Sequence, residues 1–149
     1  MKVVIQRVSR AHVSVDSKMV GQIGRGALIL LGISKEDIKE DALYLVKKIV
    51  ELRLFDDDQG NLNLSAKDIQ ASFLVVSQFT LMGNCAKGRR PSFDQAAPPH
   101  EAELLYNYFV ETLKAQNVLV ETGIFRAMMQ VELINEGPVT FVLEKVRGA

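Results

Sequence analysis

Apolar positions along this chain change their spacing several times, and each spacing predicts a different element. Lys2 to Ser9 is rich in β-branched residues and predicts a strand. From Ala11 the apolar residues alternate with polar ones through Val13 and Val15, and Gly21, Gly24 and Gly26 punctuate the next stretch. Ala27 to Ile33 is an apolar run bounded by glycines and Ser34, as expected of a strand covered on both faces. The period then lengthens: Ile38, Ala42, Leu45, Ile49 and Leu52 recur every three to four residues with charges between them, the pattern of an amphipathic helix. Leu54 and Phe55 lead into Asp56-Asp57-Asp58-Gln59-Gly60-Asn61, a turn composition, and Leu62 and Leu64 on its far side complete a short hairpin.

Ser72 to Val76 is a second apolar run and predicts a central strand with Ser77 at its carboxyl end. Residues 82–99 have no periodicity and contain Gly83, Gly88, Pro91, Pro98 and Pro99, which makes a long loop of the kind that carries function. Glu101 to Gln116 predicts a second helix with an apolar stripe of Leu104, Leu105, Tyr108, Phe109 and Leu113, and Pro98-Pro99 suits its start. Met129, Val131 and Leu133 alternate with polar residues, as do Val139, Phe141 and Leu143, so two strands are expected, joined by Asn135 to Pro138. Strands interleaved with two separated helices give a layered α/β or α+β domain. At 149 residues the chain fits one domain, 1–149, able to bury a core without metals or disulfides.

Charge and cysteine content narrow the function. Eighteen basic and 18 acidic side chains cancel, which argues against non-specific coating of nucleic acid and leaves room for a local basic patch. Cys85 is the one cysteine, so no disulfide can form within the chain. Met1 to Val15 carries Arg7, Arg10 and His12 among its apolar residues, unlike a signal peptide. The run Ala27 to Leu31 is too short to span a bilayer. The expectation is a soluble, cytoplasmic protein with no membrane partner.

Most familiar catalytic plans fail. His12 and His100 lack Cys or carboxylate partners at ligand spacing, so neither metal nor cofactor is expected. The Asp56-x-Asp58 turn resembles a calcium loop only faintly, because Asn61 replaces the glycine and Lys67 the closing Glu. Cys85 has Lys87 and Arg89 nearby but no adjacent base, and reads as an incidental loop thiol. No Walker loop or dinucleotide fingerprint occurs.

Three features remain. Ser77-Gln78-Phe79-Thr80 comes directly after a buried strand, where ligands gather and freed N–H groups can face a developing oxyanion; the same residues could equally satisfy backbone groups at a strand end. Lys87-Gly88-Arg89-Arg90-Pro91-Ser92-Phe93 combines charge and an aromatic in one loop, suited to phosphates or a base, or to plain solvation. Gly137-Pro138 is either a hairpin turn or a cis peptide that would aim two carbonyl oxygens to one side.

In their order and spacing these segments resemble the D-aminoacyl-tRNA deacylase family. Val4-Ile5-Gln6-Arg7-Val8-Ser9-Arg10-Ala11, Ala97-Pro98-Pro99, Thr122-Gly123-x-Phe125 and Asn135-x-Gly137-Pro138-Val139-Thr140 extend the likeness over essentially the whole chain. The resemblance implies a layered α/β domain with mixed, barrel-like sheets flanked by two main helices, working as a homodimer without cofactor. It implies hydrolysis of the ester of D-aminoacyl-tRNA, and glycine mischarged on tRNA is a further expected substrate. Ser77, Gln78, Phe79 and Thr80 would form the catalytic segment, with the Phe79 N–H on the carbonyl oxygen, Thr80 ordering water, and the ribose hydroxyl assisting proton transfer. Gly137 and Pro138 of the other subunit, braced by Arg7, would hold the α-ammonium and reject L side chains. Phe125 and Met129 would line the adenosine pocket, and Lys87, Arg89 and Arg90 would meet tRNA.

The sequence departs from the family pattern at Arg126, where a small residue is usual, and at Met128, where Asp is usual; Cys85 and Ala86 also replace polar residues. Two alternatives stand beside the deacylase reading: a non-catalytic tRNA-end binding module of the same fold, and an esterase of small substrates that would not need the basic loop.

Overall fold

The computed structural model describes residues 1–146; the last three positions of the expected 1–149 domain lie outside them. Among the described residues twelve elements occur in chain order: β1 (Lys2–Val15), β2 (Lys18–Ile23), β3 (Gly26–Gly32), α1 (Lys39–Glu51), β4 (Phe55–Asp56), β5 (Leu62–Leu64), α2 (Ala66–Ile69), β6 (Ser72–Ser77), a 3-10 turn (Phe79–Met82), α3 (Pro99–Lys114), β7 (Leu119–Thr122) and β8 (Gln130–Glu144). This is the mixed, barrel-like α/β fold that the resemblance implied.

β1 is the spine. Its first half pairs with β3, its second half with β2, and almost its full length pairs with β8, all antiparallel. β6 then adds to β3, and β7 to β6, both parallel. The sheet curls until β2 meets β7, and Gly21 makes the closure possible: a Cβ there would lie 2.5 Å from the Thr122 carbonyl oxygen.

Two apolar clusters result. Val3, Ile5, Ala27, Ile29, Leu31, Phe73 and Val75 face α1 and α3. Val8, Ala11, Val13, Ile23, Leu28, Leu74 and Val76 fill the curl of the sheet. Strict alternation sends Phe73 and Val75 one way and Leu74 and Val76 the other, which is why the runs in β3 and β6 are continuously apolar. β1 changes phase partway. Val3 and Ile5 face the helices, yet Ala11 and Val13 face the inside, because the register with β8 slips on either side of Val8. One extra residue in a strand exchanges its two faces.

Three expectations need correction. The residues around Asn135 to Pro138 do not join two strands; β8 runs through them, and both halves pair with β1. Arg7 alone stands opposite Glu136–Val139, so this segment is an excursion inside one strand. The apolar face of α3 is also rotated from the predicted stripe. Ala102, Tyr106, Phe109, Val110 and Leu113 are buried, whereas Leu104 is 59% exposed. Finally, the structure adds α2, β7 and the 3-10 turn to the elements that periodicity predicts. The signal for α2 is Ser65-x-x-Asp68, a reciprocal cap in which Ser65 Oγ accepts the Asp68 N–H at 3.3 Å and Asp68 accepts the Ser65 N–H at 2.8 Å.

The acidic turn between β4 and β5 is stabilised from within. The Asp57 carboxylate accepts the N–H of Asn61 at 3.0 Å and of Gln59 at 2.9 Å, and these bonds hold it below the usual carboxylate range. Among the described residues, no helix is long and apolar enough to cross a membrane.

Candidate active site

β6 carries the chain from the core to the surface and stops at Ser77. The Gln78 N–H donates to the Leu31 carbonyl at 2.8 Å, the last tie to the sheet. The chain then tightens into the 3-10 turn, with Leu81 N–H donating to the Gln78 carbonyl at 3.1 Å. Phe79 and Thr80 precede this first donor, so their N–H groups have no partner within the turn. Phe79 is 58% exposed, and its ring packs against Phe93, with centroids 5.2 Å apart and planes tilted by 56°. Phe93 thereby ties the long loop to the end of β6.

A pocket of about 800 Å³ opens here. Ser77, Gln78 and Phe79 form one wall, Phe125 and Met129 another, and Pro98, Pro99 and Ala102 at the start of α3 a third. Phe93, Arg126 and Met128 also line it. Tyr106 supports this arrangement from behind. Its hydroxyl donates to the Val75 carbonyl at 3.1 Å, and its ring lies 5.7 Å from that of Phe125. Burial pushes the Tyr106 phenol up to about 12.

Thr80 is not part of the pocket lining. It is exposed, and its hydroxyl accepts a hydrogen bond from the Gln78 side-chain amide. Lys87, Arg89 and Arg90 are also exposed and outside the lining, in the loop that a bridge between Asn84 and Ser92 draws into a hairpin-like tip. Cys85 is exposed on the same tip.

A second group of residues gathers on β8. The Gly137–Pro138 peptide bond is cis, and both residues are exposed. Arg7, buried beneath, donates from Nε to the Glu136 carbonyl at 3.0 Å and from Nη1 to the Leu54 carbonyl at 3.3 Å and the Asp56 carboxylate at 3.1 Å. Asn135 closes the excursion from the other side. Its Oδ1 accepts the Val139 N–H at 3.0 Å, and its Nδ2 donates to the Thr140 hydroxyl at 2.8 Å. The Asn135-to-Thr140 motif is thus explained as a frame that presents Gly137 and Pro138 outward.

Within one copy of the chain, Ser77, Gln78, Phe79, Phe125 and Met129 share the pocket, while Gly137, Pro138 and Arg7 lie outside its lining. Phe93 is visible in sequence only as an aromatic ending a basic loop, and its stacking on Phe79 depends on how the loop folds back. Tyr106 carries no signal, because the predicted stripe of its helix does not include it.

The family model and the sequence relatives agree on one family. The family described as D-Tyr-tRNA(Tyr) deacylase matches residues 4–144. A D-aminoacyl-tRNA deacylase of Geobacter sulfurreducens is 56% identical over 97% of this chain and 95% of its own. Another from Pelobacter propionicus is 56% identical over 97% of this chain and all of its own, at 100%. Among solved structures, a c-Myc DNA unwinding element binding protein superposes with a TM-score of 0.92 at 44% identity, covering 98% of this chain and 99% of that one. A probable eukaryotic D-amino acid tRNA deacylase superposes with a TM-score of 0.85 over 95% of this chain and 97% of that one; at 18% identity this likeness shows the fold alone.

Proposed function

The chain belongs to the D-Tyr-tRNA(Tyr) deacylase family and is an ester hydrolase acting on aminoacyl-tRNA, and from that premise we propose how its residues divide the work. The terminal adenosine enters the pocket of about 800 Å³ against Phe125 and Met129, which brings the ester to Ser77, Gln78 and Phe79. That these two sets of residues line one pocket is the observation that supports the reading most.

The chemistry is hydrolysis by water. Water adds to the ester carbonyl carbon, the carbonyl oxygen gains negative charge, and the ribose oxygen leaves with a proton. The Phe79 N–H, without a partner in its turn, meets the oxyanion. The neighbouring ribose hydroxyl relays the proton. An aminoacyl ester is already activated, so orientation and oxyanion stabilisation suffice without a side-chain nucleophile. Thr80, engaged with Gln78, orders water or shapes the turn.

Chirality is read by a second copy of the chain. The partner subunit's Gly137 and Pro138 present carbonyl oxygens to the α-ammonium and leave no room for an L side chain. Two features support this division. Gly137 and Pro138 are exposed and lie outside the pocket of their own copy. β8 also has β1 as its one neighbour among the described residues, so its other edge is open over 15 residues and shows Ile134, Phe141 and Val142 to solvent. A filter that acts on the side chain admits glycine, which makes glycyl-tRNA a substrate as well. Lys87, Arg89 and Arg90 contact tRNA phosphates outside the pocket, and the substrate places the enzyme's work in the cytoplasm.

The deciding experiment is deacylation of D-tyrosyl-tRNA and L-tyrosyl-tRNA by the purified protein. Loss of the D-ester with the L-ester spared is expected. Loss of both would remove the chiral filter, and loss of neither with tRNA still bound would make the chain a tRNA-end binding module.

A further inference from the structure

Of the residues lining the pocket, one carries a charge, Arg126. It belongs to a tight turn closed by the Ala127 N–H donating to the Ile124 carbonyl at 3.2 Å. Its φ is 67°, in the left-handed region where glycine sits with less strain. The side chain is exposed and forms no ion pair with another described residue. A free guanidinium thus stands on an otherwise uncharged pocket, at a backbone position that favours a residue with no side chain at all. A backbone outlier of this kind beside a ligand pocket directs attention to what the side chain does.

The rest of the pocket indicates what the charge would meet. Phe79, Phe93, Phe125 and Met129 offer flat or polarisable apolar surface, which accepts the face of a base. A nucleotide whose base lies on such surface keeps its phosphate outside it, near the rim. A guanidinium binds phosphate through two parallel N–H···O bonds, and its planar fork suits that better than an ammonium. Lys87, Arg89 and Arg90 do not line this pocket, so they are cations for other phosphates.

We propose that Arg126 binds the 5′-phosphate of the terminal nucleotide, so that this enzyme distinguishes a nucleotide ester from a nucleoside ester at the pocket itself. The proposal rests on the reading of the pocket as the terminal adenosine site. It adds a specificity-determining residue to that reading.

The test compares 3′-O-(D-tyrosyl)adenosine with its 5′-monophosphate as substrates, for the wild-type chain, Arg126→Gly and Arg126→Lys. The readout is the ratio of the two KM values. In the wild type the phosphate lowers KM by roughly tenfold, the order expected of one charge-assisted pair. Arg126→Gly brings the ratio to within about twofold of unity, and Arg126→Lys retains part of the preference. On D-tyrosyl-tRNA, Arg126→Gly also flattens the dependence of log KM on log salt by about 0.7, the loss of one phosphate contact on a single strand. Glycine suits the φ of this position, so the variant keeps the fold, and a thermal melt checks that.

A phosphate preference that survives in Arg126→Gly overturns the proposal, and so does a wild type that cleaves both esters with equal KM. A variant that turns monomeric while the ratio stays unchanged also overturns it, and assigns Arg126 to the contact between copies. If the wild type cleaves neither nucleoside ester nor D-tyrosyl-tRNA, the reading of the pocket fails and the proposal falls with it.

Discussion

The Arg7 guanidinium and the Glu136 carbonyl are joined at 3.0 Å, across the place where one residue of β1 faces four of β8. Arg7 is 7% exposed, and the same side chain ties Leu54 and Asp56 to the excursion. Arg7→Ala leaves the Leu54 and Glu136 carbonyls short of a donor, at a cost of about 2 kcal/mol. Arg7→Lys keeps the charge but not the fork, and falls between. Urea unfolding measures both. A midpoint for Arg7→Ala equal to that of the wild type would mean that the guanidinium braces nothing.

Gly137 has a φ of 127° and no space for a Cβ, which would stand 2.9 Å from Arg7 Nη2 and 2.9 Å from Val139 Cγ2. Gly137→Ala is expected to destabilise by roughly 2 kcal/mol through backbone strain, and to displace Arg7 as it does so. Deacylation assays on D- and L-tyrosyl-tRNA should show reduced discrimination between them. Unchanged discrimination in a folded Gly137→Ala variant would exclude this segment from substrate selection.

How much the sequence discloses differs from element to element. β3 and β6 are legible because burial on both faces leaves an uninterrupted apolar run, and α1 because Ala42, Leu45 and Ile49 recur at helical spacing and are all buried. α3 is legible as a helix but not in phase. Leu104, Leu105, Tyr106, Tyr108, Phe109 and Val110 spread apolar groups around most of the helix, so periodicity cannot select a face. β8 reads as two strands because Asn135 to Pro138 has turn composition, whereas its continuity comes from pairing with β1, more than a hundred residues away in sequence. The motif residues are visible through resemblance. Phe93 meeting Phe79 and Tyr106 backing Phe125 depend on which loops converge, and no local pattern encodes that.

Thr80 is the hydroxyl most open to being read as a nucleophile, and its surroundings argue otherwise. It is exposed, lies off the pocket lining and accepts a hydrogen bond from Gln78 rather than giving its proton to a base. Thr80→Ala should therefore lower kcat by roughly tenfold or less, well short of the loss caused by removing a true nucleophile. Single-turnover kinetics on D-tyrosyl-tRNA distinguish the two, and a fall to the uncatalysed rate would restore Thr80 as the attacking group.

If β8 joins two copies, its exposed apolar side chains leave solvent in the assembly. Val142 is 61% exposed, and Ile134 and Phe141 precede it on the same strand. Val142→Asp places a charge on this edge, a device that blocks strand pairing. Sedimentation is expected to give twice the 16.6 kDa chain mass for the wild type and a single chain for the variant, with deacylation lost in proportion. A wild type that sediments as one chain and still discriminates D from L would remove the second copy from the mechanism.

Tyr106 links the core to the pocket and should be read out by alkali. Its hydroxyl shares the Val75 carbonyl with the Gly123 N–H, which lies 3.2 Å from that oxygen. Burial raises the phenol from an ordinary 10.0 to about 12, so the folded state prefers the protonated form. That preference contributes fully below pH 10 and is lost as pH rises toward 12, because the unfolded chain releases the proton first. The difference corresponds to about 2–3 kcal/mol over that window. Tyr106→Phe loses about 1 kcal/mol near neutrality with the hydrogen bond, but it has no proton to release. The stability gap between wild type and Tyr106→Phe, measured by urea unfolding from pH 9 to 12, should therefore narrow and then reverse. A gap that stays constant across this range would mean that the Tyr106 phenol titrates alike in the folded and unfolded chain, and its burial would then have no electrostatic consequence.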